Sequence, residues 1–309
     1  MTATVGAEAA ERFACFGSRC AALVIGDGPD GTAEEAVRRA RQRLLGWHDR
    51  FSRFDPASEL SRLNRDPRPV IEVGTLMARM AAASVDAARR TGGLVDATLV
   101  DELEAAGYAE SLETSVAPER ALELAPPRRP ARPHPDRRWA AISVDRGART
   151  IRRPPGVRLD SGGIVKGMLA DVLGDVLAEH DAYAIDCAGD LRLGGAGGVP
   201  RAVRVASPFR DEILHEFELT AGGVATSGIG RRSWIDADGA PAHHLLDPAT
   251  GRPAFTGVVQ ATALGPTALE AEVAAKAAVL SGPHGATRWL DHGGVIVLDD
   301  GSHHVVDPR

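Results

Sequence analysis

The sequence predicts an α+β fold, antiparallel sheet flanked by helices. Helical periodicity and strand-like alternation both run through the chain, yet never in the regular strand–helix–strand rhythm of a parallel sheet. Short strand patterns instead crowd together in the second half, separated by Gly-rich turns. With 309 residues the chain can bury a large core, as one big domain or two intimate ones.

"CAALVIG" (Cys20 to Gly26) reads as a strand that stops at the turn "GDGPDG". From Thr32 through Phe51 the pattern is helical, with Thr32 as cap and Glu35 in the capping-box position. "FSRFDPASELSRLN" is a polar loop turning into a short helix behind Ser58. A longer helix, Thr75 to Thr91, stops at Gly92-Gly93. "LVDATLVDELEAAGY" follows. "LAPPRRPARPHPDRR", about 124–138, is too dense in proline for a packed element. It reads as a solvated surface loop or linker, with a phosphate-binding patch as the alternative. "WAAISVDRGARTIRRP" alternates like a hairpin around Asp145-Arg146-Gly147. After the helix that follows, strands are expected in "YAIDCAG", "AVRVASP", "HEFELTAGGVATSG", "GVIVLDD" and "HHVVD". "EAEVAAKAAVLSG" (Glu270 to Gly282) is a further helix, with a stripe of Ala271, Ala274, Ala275, Ala278 and Val279 and a stop at Gly282.

Hydrophobic content of 44% and charged content of 25% are ordinary for a globular protein. A net charge of −6 argues against a general nucleic-acid or anionic-membrane binder. Cys15, Cys20 and Cys187 are an odd count without CxxC spacing, so neither a disulfide framework nor a zinc site is expected. Reduced, partly buried thiols fit a cytoplasmic protein. The N-terminal stretch shows no basic region followed by an apolar one, and no run reaches the length of a membrane span.

"LDSGGIVKGMLADVL" (Leu159 to Leu173) carries the most chemistry. A strand-like arrival delivers Asp160, two glycines allow close backbone approach, and Lys166 stands where a helix begins. That is an anion cradle with a point charge, or else a tight turn with a solvated lysine. "AIDCAGDLRLGG" and "GGVATSGIGRR" are two more Gly-rich strand ends, and three such loops suggest a nucleotide-sized ligand held by backbone. "HHLLDPATGRP" places His243 and His244 side by side. Adjacent strand residues face opposite ways, so one of the two at most enters a site, and His243 reads as a surface histidine. Glu272 and Lys276 lie four apart on one helix face, as a surface ion pair or as part of a site.

Taken together, these segments resemble the ApbE family, the FAD:protein FMN transferases. "LDSGGIVKG" is similar to the family's Asp-Leu-Gly-Gly-Ile-Ala-Lys-Gly, "AIDCAGDLRLGG" to its Asn-Xaa-Gly-Gly-Asp strand and "VATSG" to its Ala-Thr-Ser-Gly. "HHLLDPATGRP" is similar to its His-Ile-Ile-Asp-Pro-Xaa-Thr-Gly. "FSRFDPASELSRLN" and "VDATLVDELEAAGY" look like its N-terminal Ser-rich loop and its Phe-Asp-Pro segment. The resemblance implies a T-fold-like single unit over 1–309, with 124–138 as a surface excursion. It also implies cleavage of FAD, transfer of FMN to a threonine or serine of a recipient protein, and release of AMP. A non-catalytic flavin carrier and an FAD pyrophosphatase are the alternatives.

Carried over by position, Asp160, Lys166, Phe16, Phe54, Leu94, Val95, Asp96 and Leu245 would contact FAD. His244 would be the base for the acceptor hydroxyl. The Gly163 carbonyl would be a Mg²⁺ ligand. The family's other two metal ligands, an aspartate and a threonine, fall on Glu272 and Lys276. An ammonium cannot ligate a cation. Either Glu272 and Gly163 still hold Mg²⁺, or Lys276 takes the metal's place and joins His244 in catalysis.

Overall fold

The computed structural model describes residues 6–29, 31–110, 115–236 and 238–309. The first five residues of the N-terminal stretch and Asp30 of its turn lie outside them. Among the described residues, the centre is an eight-stranded sheet. Its order is Glu8–Cys15, Ser18–Ile25, Ala182–Cys187, Asp190–Gly194, Gly222–Gly228, Val258–Gly265, Gly294–Leu298 and His303–Val306. Every neighbouring pair is antiparallel. The strands follow one another across the sheet in chain order, and the helices are inserted between them.

Helices α1 (Ala33–Phe51), α2 (Glu59–Arg65), α3 (Thr75–Arg90), α4 (Val100–Ala105), α5 (Pro118–Glu123) and α6 (Val165–Leu177) all fall between the second and third strands. Helix α7 (Ala268–Ser281) follows the sixth. The cap read at Thr32 is a full capping box: its hydroxyl accepts the Glu35 N–H at 3.4 Å and the Glu35 carboxylate accepts its N–H at 3.3 Å. Ser58 caps α2 in the same way, accepting the Ser61 N–H at 2.9 Å. The hairpin about Asp145 forms between Ser143–Asp145 and Thr150–Arg152, with Val70–Glu72 added alongside.

The largest core cluster joins Leu44 of α1, Leu60 of α2, Met77 and Met80 of α3 and Met168, Leu169 and Leu173 of α6. Each such fully buried side chain contributes about 1.5–3 kcal/mol. α6 and α7 meet at a glycine: a Cβ on Gly167 would lie 2.6 Å from the Ala268 carbonyl oxygen. Small residues on α7, chiefly Ala271, Ala275 and Ala278, allow that helix to be buried on several sides. Among the described residues no helix is long and apolar enough to cross a membrane.

Four readings change. Asp160 does not arrive on a strand. Its segment is irregular, held by Asn64, whose side-chain amide donates to the Leu159 carbonyl and accepts the Leu159 N–H, both at 2.8 Å. The glycines of "GGVATSG" lie within the strand Gly222–Gly228 and serve packing, since a Cβ on Gly223 would collide with Thr267 of the α7 cap. The three thiols are fully rather than partly buried, with Cys20 opposite Cys187 on neighbouring strands. His243 is not at the surface. Its ring is 0% exposed and packs edge-on against Phe255, centroids 4.7 Å apart.

The Pro/Arg-rich stretch has no regular structure over 125–134, as its prolines require. It is nevertheless tied down. The Arg129 and Ala131 N–H groups donate to the Phe255 and Leu280 carbonyls at 3.0 and 2.8 Å, and Arg128 pairs with Asp299 at 2.6 Å.

Candidate active site

The Gly-rich turn into α6 and the face of α7 meet in register. Gly167 donates its N–H to Glu272 Oε2 at 2.9 Å. One turn along each element, Gly163 faces Lys276, and a Cβ built on that glycine would collide with Lys276 Nζ. Lys166, between the two glycines, pairs with Asp190 and lies 4.0 Å from Glu272 Oε1. Asp190 opens its strand directly after Ala188 and Gly189, whose φ values of 59° and 97° make a tight two-residue hairpin. That turn is what aims the carboxylate at Lys166.

Burial and crowding set the charges. Desolvation, then the neighbouring Asp190, pushes the Glu272 carboxyl up to about 7. Desolvation lowers the Lys276 ammonium, with Glu272 pulling it back. His244 is held well below the usual histidine range by burial, then by the positive charges of Arg232 and Lys276. Its imidazole is therefore neutral at physiological pH. Its Nδ1 is buried without a hydrogen-bond partner among the described residues, and its backbone N–H donates to the Arg232 carbonyl at 3.3 Å. His243 is lowered to about 3 by burial alone and takes the Leu245 N–H on Nδ1 at 3.3 Å. Of the pair, His244 is the one with cations around it.

The other wall is aromatic. Arg53 Nε lies 3.3 Å from Asp160 and its guanidinium sits 4.6 Å over Phe54 and 5.0 Å over Tyr108. Tyr108 stacks on Trp234 at 5.6 Å, and Phe54, 38% exposed, meets Tyr108 edge-on at 5.5 Å. Phe16 sits at the tip of the first hairpin with φ of 54°, and Arg232 Nη2 donates to its carbonyl at 3.1 Å.

The structure thus brings Lys166, Gly163, Glu272, Lys276 and His244 together, and joins Asp160 to Phe54 through Arg53. Leu94, Val95 and Leu245 put their side chains into the core, so a ligand would meet backbone there. Asp96 keeps one carboxylate oxygen on Thr98, at 2.8 Å from its N and 2.6 Å from its hydroxyl oxygen, and leaves the other buried without a hydrogen-bond partner among the described residues. Sequence reading missed Arg53, Asn64, Tyr108, Asp190 and Trp234. Arg53, Asn64, Tyr108 and Asp190 carried a signal, by lying inside quoted motifs, and Trp234 did not.

Glu272 and the Gly163 backbone do not offer a divalent cation a proper place. Mg²⁺ wants several oxygen ligands in octahedral array. Here one Glu272 oxygen is taken by the Gly167 N–H, the other faces Lys166, and an ammonium stands against Gly163. Among the described residues no group of three or more His, Cys, Asp or Glu side chains could hold a metal ion.

Cations gathered round a neutral histidine, with an aromatic wall alongside, mark a protein that holds a phosphate-bearing ligand with a flat ring. The α+β frame narrows the class further. The ApbE family matches residues 16–298, and the chain belongs to that family. The FAD:protein FMN transferase of Klebsiella pneumoniae is 25% identical over 286 residues, 87% of this chain and 78% of that protein. That of Chlamydia trachomatis is 37% identical over 117 residues, which is 37% of this chain and 36% of its own length. The crystal structure of the Thermotoga maritima ApbE protein superposes with a TM-score of 0.78 at 22% identity, covering 97% of each chain, and shares the fold.

Proposed function

We propose that this protein splits FAD and transfers FMN through a phosphoester to a threonine or serine of a recipient protein, releasing AMP. The observation that carries the reading is the neutral His244 set among Lys276, Arg232 and Lys166, in a chain of the ApbE family. A neutral imidazole takes the acceptor proton, and cations oppose the charge that develops on phosphate. The Arg53–Phe54 wall and the backbone at 94–96 hold the rings and ribose of FAD, and Asp160 fixes Arg53. The acceptor oxygen bonds to the FMN phosphorus, and the bond from that phosphorus to the bridging oxygen breaks. The electron pair leaves with AMP. Three buried thiols suit a reducing compartment, and the reading places the reaction in the cytoplasm.

The test mixes the full chain with FAD and a recipient domain bearing an acceptor threonine. AMP and covalently bound flavin are then measured. Equal amounts of both are expected, with His244→Asn losing transfer by 10²–10⁴-fold while still binding FAD. AMP with no covalent flavin would make the protein a pyrophosphatase. FAD binding without AMP, across several recipients, would make it a carrier.

A further inference from the structure

We infer that Lys276 takes the place of a divalent cation, so that the site needs no metal. The inference rests on the transfer reading above for its catalytic half, but the absence of a cation site stands on geometry alone.

Two glycines four apart, Gly163 and Gly167, meet two charged residues four apart on α7, Lys276 and Glu272. Gly167 is required by helix packing, because its Cβ would strike the Ala268 carbonyl. At Gly163 the atoms nearest to a Cβ would be Nζ, Cε and Cδ of Lys276. The lysine stem is therefore laid along the glycine backbone with its charge at the Gly-rich turn, where a phosphate would be cradled.

The charges nearby leave no room for a further cation. Asp190 is paired with Lys166, and Glu272 is shared between Lys166 and the Gly167 N–H. With Glu272 ionised, these two carboxylates and the ammoniums of Lys166 and Lys276 sum to zero, and Asp160 beyond them is paired with Arg53. Arg232, whose guanidinium donates to the uncharged Phe16 carbonyl, adds positive charge on the same side. A divalent ion would enter against two ammoniums with no uncommitted carboxylate to receive it. A pyrophosphate, carrying two negative charges, would meet Lys276 and Arg232. An ammonium has three donors for phosphate oxygens and stays tethered through turnover, doing the electrostatic work otherwise assigned to a metal.

The test has two arms on the full chain. In the first, Mn²⁺ alone is titrated into the protein and bound ion is read by electron paramagnetic resonance. No site tighter than about 1 mM is expected, whereas Lys276→Thr creates one at least tenfold tighter. In the second, AMP release from FAD is compared in excess chelator and in Mg²⁺. The wild type is expected to run within twofold in both, and Lys276→Met to lose at least a hundredfold in both, with its thermal midpoint checked for folding. A tight Mn²⁺ site in the wild type, or loss of its activity in chelator, overturns the inference. Absence of AMP in every condition overturns the transfer reading instead, and the Mn²⁺ arm then still decides whether Lys276 excludes a metal.

Discussion

The Asp160 carboxylate lies 3.3 Å from Arg53 Nε, and the same guanidinium covers the Phe54 ring at 4.6 Å. One side chain therefore ties the loop that precedes α6 to the aromatic wall. Its Nη2 donates to the Tyr108 carbonyl at 2.8 Å, which fixes the fork in place.

Arg53→Ala is expected to weaken FAD binding by roughly ten- to a hundredfold, because two ion pairs, a hydrogen bond and two ring contacts go together. Arg53→Lys recovers only part of it, since an ammonium lacks the planar fork. Flavin fluorescence titration measures both. An unchanged affinity in the alanine variant would remove Arg53 from the binding wall.

Asn64→Leu deletes both hydrogen bonds to Leu159 at nearly constant volume. Leaving the Leu159 backbone groups unpaired costs about 2–3 kcal/mol. Denaturant unfolding should show that loss, and FAD affinity should fall with it as Asp160 loses its support. Loss of stability alone would restrict Asn64 to the fold.

Gly167 and Gly46 should respond in opposite directions to alanine. Both are helical, but a Cβ at Gly167 would sit 2.6 Å from the Ala268 carbonyl, while nothing lies within 4 Å of one at Gly46. Gly46→Ala is expected to stabilise by up to about 1 kcal/mol through helix propensity. Gly167→Ala is expected to destabilise by about 1–3 kcal/mol, as α6 is pushed from α7. Chemical denaturation of the two variants checks the contrast.

His243 gives a pH signature. Its folded value near 3 lies below the ordinary 6.5, so between those limits the unfolded chain binds the extra proton. Stability is therefore complete above pH 6.5 and falls as the pH drops toward 3. The slope is about 1.4 kcal/mol per pH unit for one histidine, and His244 has the same sign. His243→Asn, which keeps an acceptor for the Leu245 N–H, should remove one proton's worth of that slope. Identical slopes in wild type and variant would show that His243 protonates without unfolding the protein.

Local chemistry was legible wherever a signal sits within a few residues. The Thr32–Glu35 capping box, the Ser58 cap, the Gly282 stop and the proline-barred stretch all formed as read. Each depends on φ preferences and hydrogen bonds that span a single turn. The same holds for the order of the motifs, which was enough to suggest the family.

What the sequence left open was decided by distance along the chain. The strand Ser18–Ile25 pairs with Ala182–Cys187 across all the residues from 26 to 181, and no local pattern announces that partner. His243 looked like a surface residue because its burial comes from Phe255 and the core around it. Arg53 became part of a site only when Asp160 and Tyr108 were folded against it. Glu272 and Lys276 lay on one helix face from the start. That they form part of a charged cluster, and are not a solvated ion pair, was settled by the turn at Gly163 and by α6, which packs against α7 at Gly167. Propensity acts over a turn of chain. Burial and charge act through space, and only the packed tertiary structure determines which charges become neighbours.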